Sequence, residues 1–166
     1  MAIVSRRNLL LGAAGVGVLG VAGYGAARVF VPWHKAKGSI FNVDGIAIRG
    51  ADPVAYFTEK TSVMGDERNA YDWAGATWHF ASMENREMFK ADPEAYAPQY
   101  GGYCAWAVGA KGLLYSIQPH IWSVVDNKLY LNFDDVVHNT WVKDIPGFIE
   151  KADARWPELR DQMVYS

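Results

Sequence analysis

The chain has one cysteine, Cys104, in 166 residues, so no disulfide can form within it and its core must hold by packing alone. Histidine is scarce, with four in all. His79, His120 and His138 stand far apart along the chain, so no helix-borne pair of metal ligands is present. Charge is nearly balanced at a formal -2, which excludes the basic footprint of a nucleic-acid binder. No Ser-His-Asp order, phosphate-binding loop, dinucleotide-binding glycine fingerprint or paired-carboxylate motif can be placed, so the familiar catalytic signatures are missing.

What the chain has in quantity is apolar and aromatic: 51% hydrophobic residues, 14% aromatic, seven of them Trp. That composition excludes a disordered chain and predicts a core rich in large rings. Part of it sits in "SRRNLLLGAAGVGVLGVAGYGAARVF", where Arg6 and Arg7 precede an uncharged run from Asn8 to Ala27. A positive start, an apolar middle and small residues are the layout of an export signal, and the Arg pair looks like a twin-arginine address. Leu9 and Leu10 stand where a Phe is common, and Gly25 and Ala27 offer a cleavage point after Ala27. Uncut, the run is long enough to tether the protein to a membrane. Residues 1–27 are therefore expected to be a signal or anchor, placing the rest in the periplasm or on the periplasmic face of the inner membrane.

Beyond a linker over 28–42, turn and capping chemistry predict a single α+β domain of short antiparallel hairpins interleaved with short helices, over 43–157, with a tail at 158–166. Asp44-Gly45, Ala74-Gly75 and Asp126-Asn127 each punctuate alternating runs and predict hairpins. In the second of these, Trp78 and Phe80 share one strand face while Thr77 and His79 share the other. Asp52, Ser82, Asp92 and Asp134 precede helical stretches as caps, and Pro53, Pro93 and Pro146 suit first turns. A helix is predicted over 101–110, starting at Gly101-Gly102.

"DPVAYF", "WHFASMENREMFKADPEAYAPQYGGYCAWAV" and "VVDNKLYLNF" together resemble the YHS domain family, in its exported bacterial branch. The resemblance covers roughly 43–157 and is most specific from Trp78 to Val108. It implies a small α+β fold and, in metal-trafficking relatives, cysteine ligands for a soft metal such as copper or zinc. Three positions depart from that pattern: Ala55, Ala81 and Asn85 stand where those cysteines would be. Alanine has no ligand atom.

Cys104 is the first candidate for chemistry. A thiol in the first turn of the predicted helix would be favoured as thiolate by unpaired N–H groups and the helix dipole. The resemblance adds that exported members often keep a cysteine here, some as selenocysteine, which points to redox use. The other reading is a buried cysteine acting as a small hydrophobe, which is common. His79 is the second candidate, because its strand matches the region that bears a metal cysteine in the family. Cys104 and His79 are accordingly expected to be metal ligands, with copper or zinc as the metal. The aromatic set of Tyr56, Tyr71, Trp73, Trp78, Tyr96, Tyr100, Tyr103 and Trp106 fits either a flat-ligand pocket or a stacked core.

The expected function is an exported accessory or carrier domain that binds a metal ion or small cofactor in the bacterial envelope. One alternative is a thiol redox enzyme using Cys104, which would need a depressed thiol pKa. Another is a noncatalytic module that docks on an envelope protein.

Overall fold

The turn dipeptides carry the local geometry. Asp44 and Gly45, Ala74 and Gly75, and Asp126 and Asn127 all have positive φ, the conformation that lets a two-residue loop follow the strand twist. Each closes a hairpin with its flanking residues in register: β1 (Asn42–Val43) with β2 (Ile46–Ala47), β3 (Asp66–Trp73) with β4 (Ala76–Phe80), and β5 (Trp122–Val125) with β6 (Lys128–Leu131). Three predicted hairpins are thus found. The computed structural model describes residues 39–165, to which every structural statement here refers. The expected signal or anchor, His34 and the linker up to Gly38 lie outside the described residues.

The first two hairpins merge into one four-stranded sheet in the order β1-β2-β4-β3. Their junction, β2 against β4, is parallel and rests on the pairing of Ile46 with Thr77, which the hairpin reading did not contain. β5 and β6 form a separate two-stranded sheet. The helices are α1 (Ala55–Thr58), α2 (Met83–Ala91), α3 (Pro93–Tyr96), α4 (Ala105–Lys111), α5 (Asp135–Trp141) and α6 (Ile145–Tyr165). The fold is α+β, as expected.

Three caps are made as their sequences require. Ser82 Oγ accepts from the Asn85 N–H, Asp92 Oδ1 from Ala95 and Asp134 Oδ1 from Val137, satisfying amides that the first turn of a helix leaves open.

Packing then divides the interior in two. One cluster holds Ile40, Ile48, Tyr56, Trp78, Phe80, Phe89, Leu129 and Leu131, with the Phe89 ring 5.1 Å from Trp78 and 5.2 Å from Phe80. The other holds Tyr100, Val108, Tyr130, Trp141, Ala152 and Trp156. Alternation along β6 sends Leu129 and Leu131 to the first and Tyr130 to the second, so this strand is buried on both faces.

Three expectations are corrected. No helix begins at the glycine pair: Tyr100, Gly101 and Gly102 are left-handed, at φ 55, 62 and 84, and α4 starts only at Ala105. A Cβ on Gly101 would lie 1.8 Å from the Ser39 carbonyl oxygen, and the Gly101 carbonyl accepts from the Phe41 N–H at 2.8 Å. These glycines serve a close backbone crossing rather than a helix start. That crossing also buries Ser39, Ile40 and Phe41, so the domain reaches into the expected linker. At the other end α6 runs through Pro157 to Tyr165, with Arg160 buried; the stretch from 158 is helix, not tail. Proline forfeits one backbone hydrogen bond within the helix, and packing of Ala152 and Trp156 in the second cluster holds the helix against that loss.

Candidate functional site

Cys104 occupies the N-cap position of α4 instead of its first turn. Its N–H donates to the Tyr115 carbonyl at 3.1 Å and its carbonyl accepts from Val108 at 3.0 Å, so the backbone on either side of the thiol is tied down. The side chain is 1% exposed. Sγ lies 3.6 Å from Asn132 Oδ1, and the same oxygen accepts from the Trp106 N–H at 3.2 Å. Asn132 is itself fixed: its N–H donates to Ile121 and its carbonyl accepts from Gln118.

Two groups in this cluster have no hydrogen-bond partner although buried, Asn132 Nδ2 and Trp106 Nε1. Most buried polar groups in folded proteins are bonded, so an orphan asks for water, strain or a ligand. Burial pushes the Cys104 thiol above its ordinary pKa, and the Asp134 carboxylate adds to this, while the N–H groups of Ala107, Phe133 and Trp106 pull the other way. Desolvation is the largest of these influences, so the sulfur is a neutral thiol at pH 7.

On the solvent side of the sulfur opens a cleft of about 320 Å³ lined by Cys104, Trp106, Leu113, Tyr115, Phe133 and Val137, with Lys111 and Asp134 also on its wall. Tyr115 meets Phe133 edge-on at 4.9 Å, and the Lys111 ammonium sits 5.7 Å from the centre of the Trp106 ring. Leu113 and Tyr115 are exposed. The size and the mainly apolar lining with a few polar groups are those of a small-molecule site.

His79 is elsewhere. It lies half-buried on β4 and lines another cavity with Met64, Gly50 and Asp44, which has no residue in common with the Cys104 cleft. The two expected metal ligands are therefore not brought to one site. No group of three or more His, Cys, Asp or Glu side chains that could hold a metal ion is found among the described residues. His138 Nε2 is within 2.9 Å of Ser123 Oγ.

The positions implied by the resemblance do converge, around a carboxylate. Asp52, wholly buried, accepts from the Val54 and Ala55 N–H groups at Oδ1 and from the Ala81 N–H and Asn85 Nδ2 at Oδ2. Ala55, Ala81 and Asn85 thus meet at a hydrogen-bonded knot with no sulfur in it. These residues do not fit a metal, and the knot ties α1, the end of β4 and α2 together.

Of the aromatic set, Tyr56, Trp78 and Tyr100 are core residues, and Trp106 reaches the cleft. Sequence reasoning missed Asn132, Phe133, Val137 and Lys111. A polar Asn after the alternating "KLYL" is the one local signal that could have marked the first. No protein-family model matches the chain, and neither curated proteins nor solved structures provide a match. No helix among the described residues is long and apolar enough to cross a membrane.

Proposed function

We propose that this chain is an exported, YHS-like accessory or carrier domain that holds one small, mainly apolar ligand in the Cys104 cleft. The observation that carries the reading is the apolar cleft over the Cys104 thiol, one of whose lining residues, Trp106, has a buried indole N–H without a hydrogen-bond partner. The twin-arginine-like start supports export, because that route carries proteins already folded. Separation of Cys104 from His79 favours an organic cofactor over a metal shared between them. The neutral thiol weighs against a redox nucleophile, since the thiolate is the reactive form. Lys111 and Asp134 put one charge of each sign on the wall, so the ligand's polar end can meet either a donor or an acceptor.

Anilinonaphthalene sulfonate, a flat anionic dye of about 20 heavy atoms, is a suitable probe. At about 0.3 kcal/mol per atom its Kd falls in the tens of micromolar. Fluorescence titration of the full chain should saturate at one dye per chain, and Val137→Trp, which fills the cleft, should weaken binding at least tenfold. Equal binding by wild type and Val137→Trp would contradict the site.

A further inference from the structure

We infer that Met64 and His79 form a second site, for a soft monovalent cation of the copper(I) type, independent of the Cys104 cleft. Backbone pairing builds it. Met64 bridges Ala51 in antiparallel fashion and the Gly65 N–H donates to the Gly50 carbonyl at 2.8 Å, which clamps the strand leading into β3 against the segment before α1. β4 turns His79 to the face opposite buried Trp78 and Phe80, so both side chains arrive over Gly50.

Gly50 leaves the space between them. A Cβ built there would lie 3.6 Å from His79 Nδ1 and 3.6 Å from the Met64 methyl carbon. The ring nitrogen and the thioether methyl are thus no further apart than those two distances together. The cavity, about 290 Å³, also has Asp44 on its wall. Met64 is 60% exposed and is unbranched, so its sulfur can swing toward the ring at little cost.

Chemistry selects the ion. A thioether and an imidazole are soft or borderline donors that suit copper(I) and leave calcium or magnesium without their oxygen shell. Asp44 supplies negative charge on the cavity wall. Arg49 is the one cationic side chain lining this cavity, and its guanidinium is turned elsewhere. Its Nε donates to the Ile117 carbonyl at 2.9 Å and its Nη2 to Ser116 Oγ at 2.8 Å.

The test is an anaerobic copper(I) titration of the full chain in competition with bicinchoninate. Wild type and Cys104→Ala should each hold one copper(I) per chain. Met64→Leu and His79→Ala should each weaken binding at least tenfold, with circular dichroism unchanged because neither side chain is in the core. No binding by wild type, binding lost in Cys104→Ala, or full affinity in Met64→Leu would overturn the site. Silver(I), added to protein labelled at the methionine methyls, should shift the resonance that Met64→Leu removes. A resonance that stays in place would overturn it too. Dye binding in the Cys104 cleft is read separately, so failure of either site leaves the other standing.

Discussion

Asp52 and Asn132 are equally hidden from water and differ in how fully they are bonded. Both are 0% exposed. Asp52 receives four hydrogen bonds on two oxygens, and its cluster leaves no buried side-chain polar atom without a partner. Asn132 spends one oxygen on Trp106 and Cys104 and leaves its amide nitrogen orphaned, as Trp106 leaves its indole nitrogen. A saturated knot of this kind can only hold elements together. An unsaturated one, beside a cleft, has bonding capacity left for something else. Trp141 Nε1, buried in the second core cluster, is unpartnered as well, so what sets the Asn132 centre apart in this comparison is an unpartnered donor together with the cleft over Cys104.

The sharpest way to break it is Asp52→Ala. Four donors would lose a buried charged acceptor, and the loss should be at least about 4 kcal/mol by urea denaturation; a loss below about 1 kcal/mol would remove the knot from the scaffold. Gly101→Ala follows at about 3 kcal/mol, because a Cβ meets the Ser39 carbonyl while the backbone is left-handed. That effect concerns the frame beneath the cleft, and a neutral result would mean that the crossing is loose.

A pH series sharpens the contrast. Burial pushes the Tyr56 hydroxyl, near Asp52 and donating to the Pro119 carbonyl at 2.8 Å, up to about 12. A folded pKa above the unfolded value gives stability that is complete below pH 10 and disappears as pH rises through about 12. Tyr56 should contribute about 2–3 kcal/mol of the loss in that window. Burial also raises Tyr130, to about 12, and Tyr100, which add to the loss with the same sign, so Tyr56→Phe should remove the Tyr56 share alone. The raised Cys104 thiol acts with the same sign but begins earlier, in the ordinary thiol range, and Cys104→Ala should remove only that earlier part.

The smallest effect is expected at Asn132→Leu. Trp106 loses an acceptor, but an orphan donor disappears with it, so stability should fall by only about 1 kcal/mol. A loss as large as that of Asp52→Ala would show that the two centres are alike after all.

Local chemistry was legible and long-range chemistry was not. Asp44-Gly45, Ala74-Gly75 and Asp126-Asn127 announce their hairpins because two-residue turns need residues that tolerate positive φ. Ser82, Asp92 and Asp134 announce their helices because a cap is satisfied within three residues. Gly101-Gly102 misled, since a glycine pair before an apolar run is compatible with a helix start and equally with a backbone crossing, and the Ser39 segment that decides between them is distant in sequence. The parallel pairing of β2 with β4 and the passage of α6 through Pro157 likewise depend on packing partners far along the chain. Cys104 was recognised as a candidate, but its setting was not. Asn132, Phe133 and Val137 come from the end of β6 and from α5, and no spacing rule links them to residue 104. Cys104 and His79 were expected to share a metal but line separate cavities, because strand alternation gives a side chain's face and says nothing of what lies across the cavity.

Native mass spectrometry of the full chain, purified under nondenaturing conditions from the cells that make it, tests the central claim most directly. The predicted result is one small molecule per chain in wild type, absent from Val137→Trp. A bare mass for wild type, or the same adduct on Val137→Trp, would contradict the assignment of the Cys104 cleft as a ligand site.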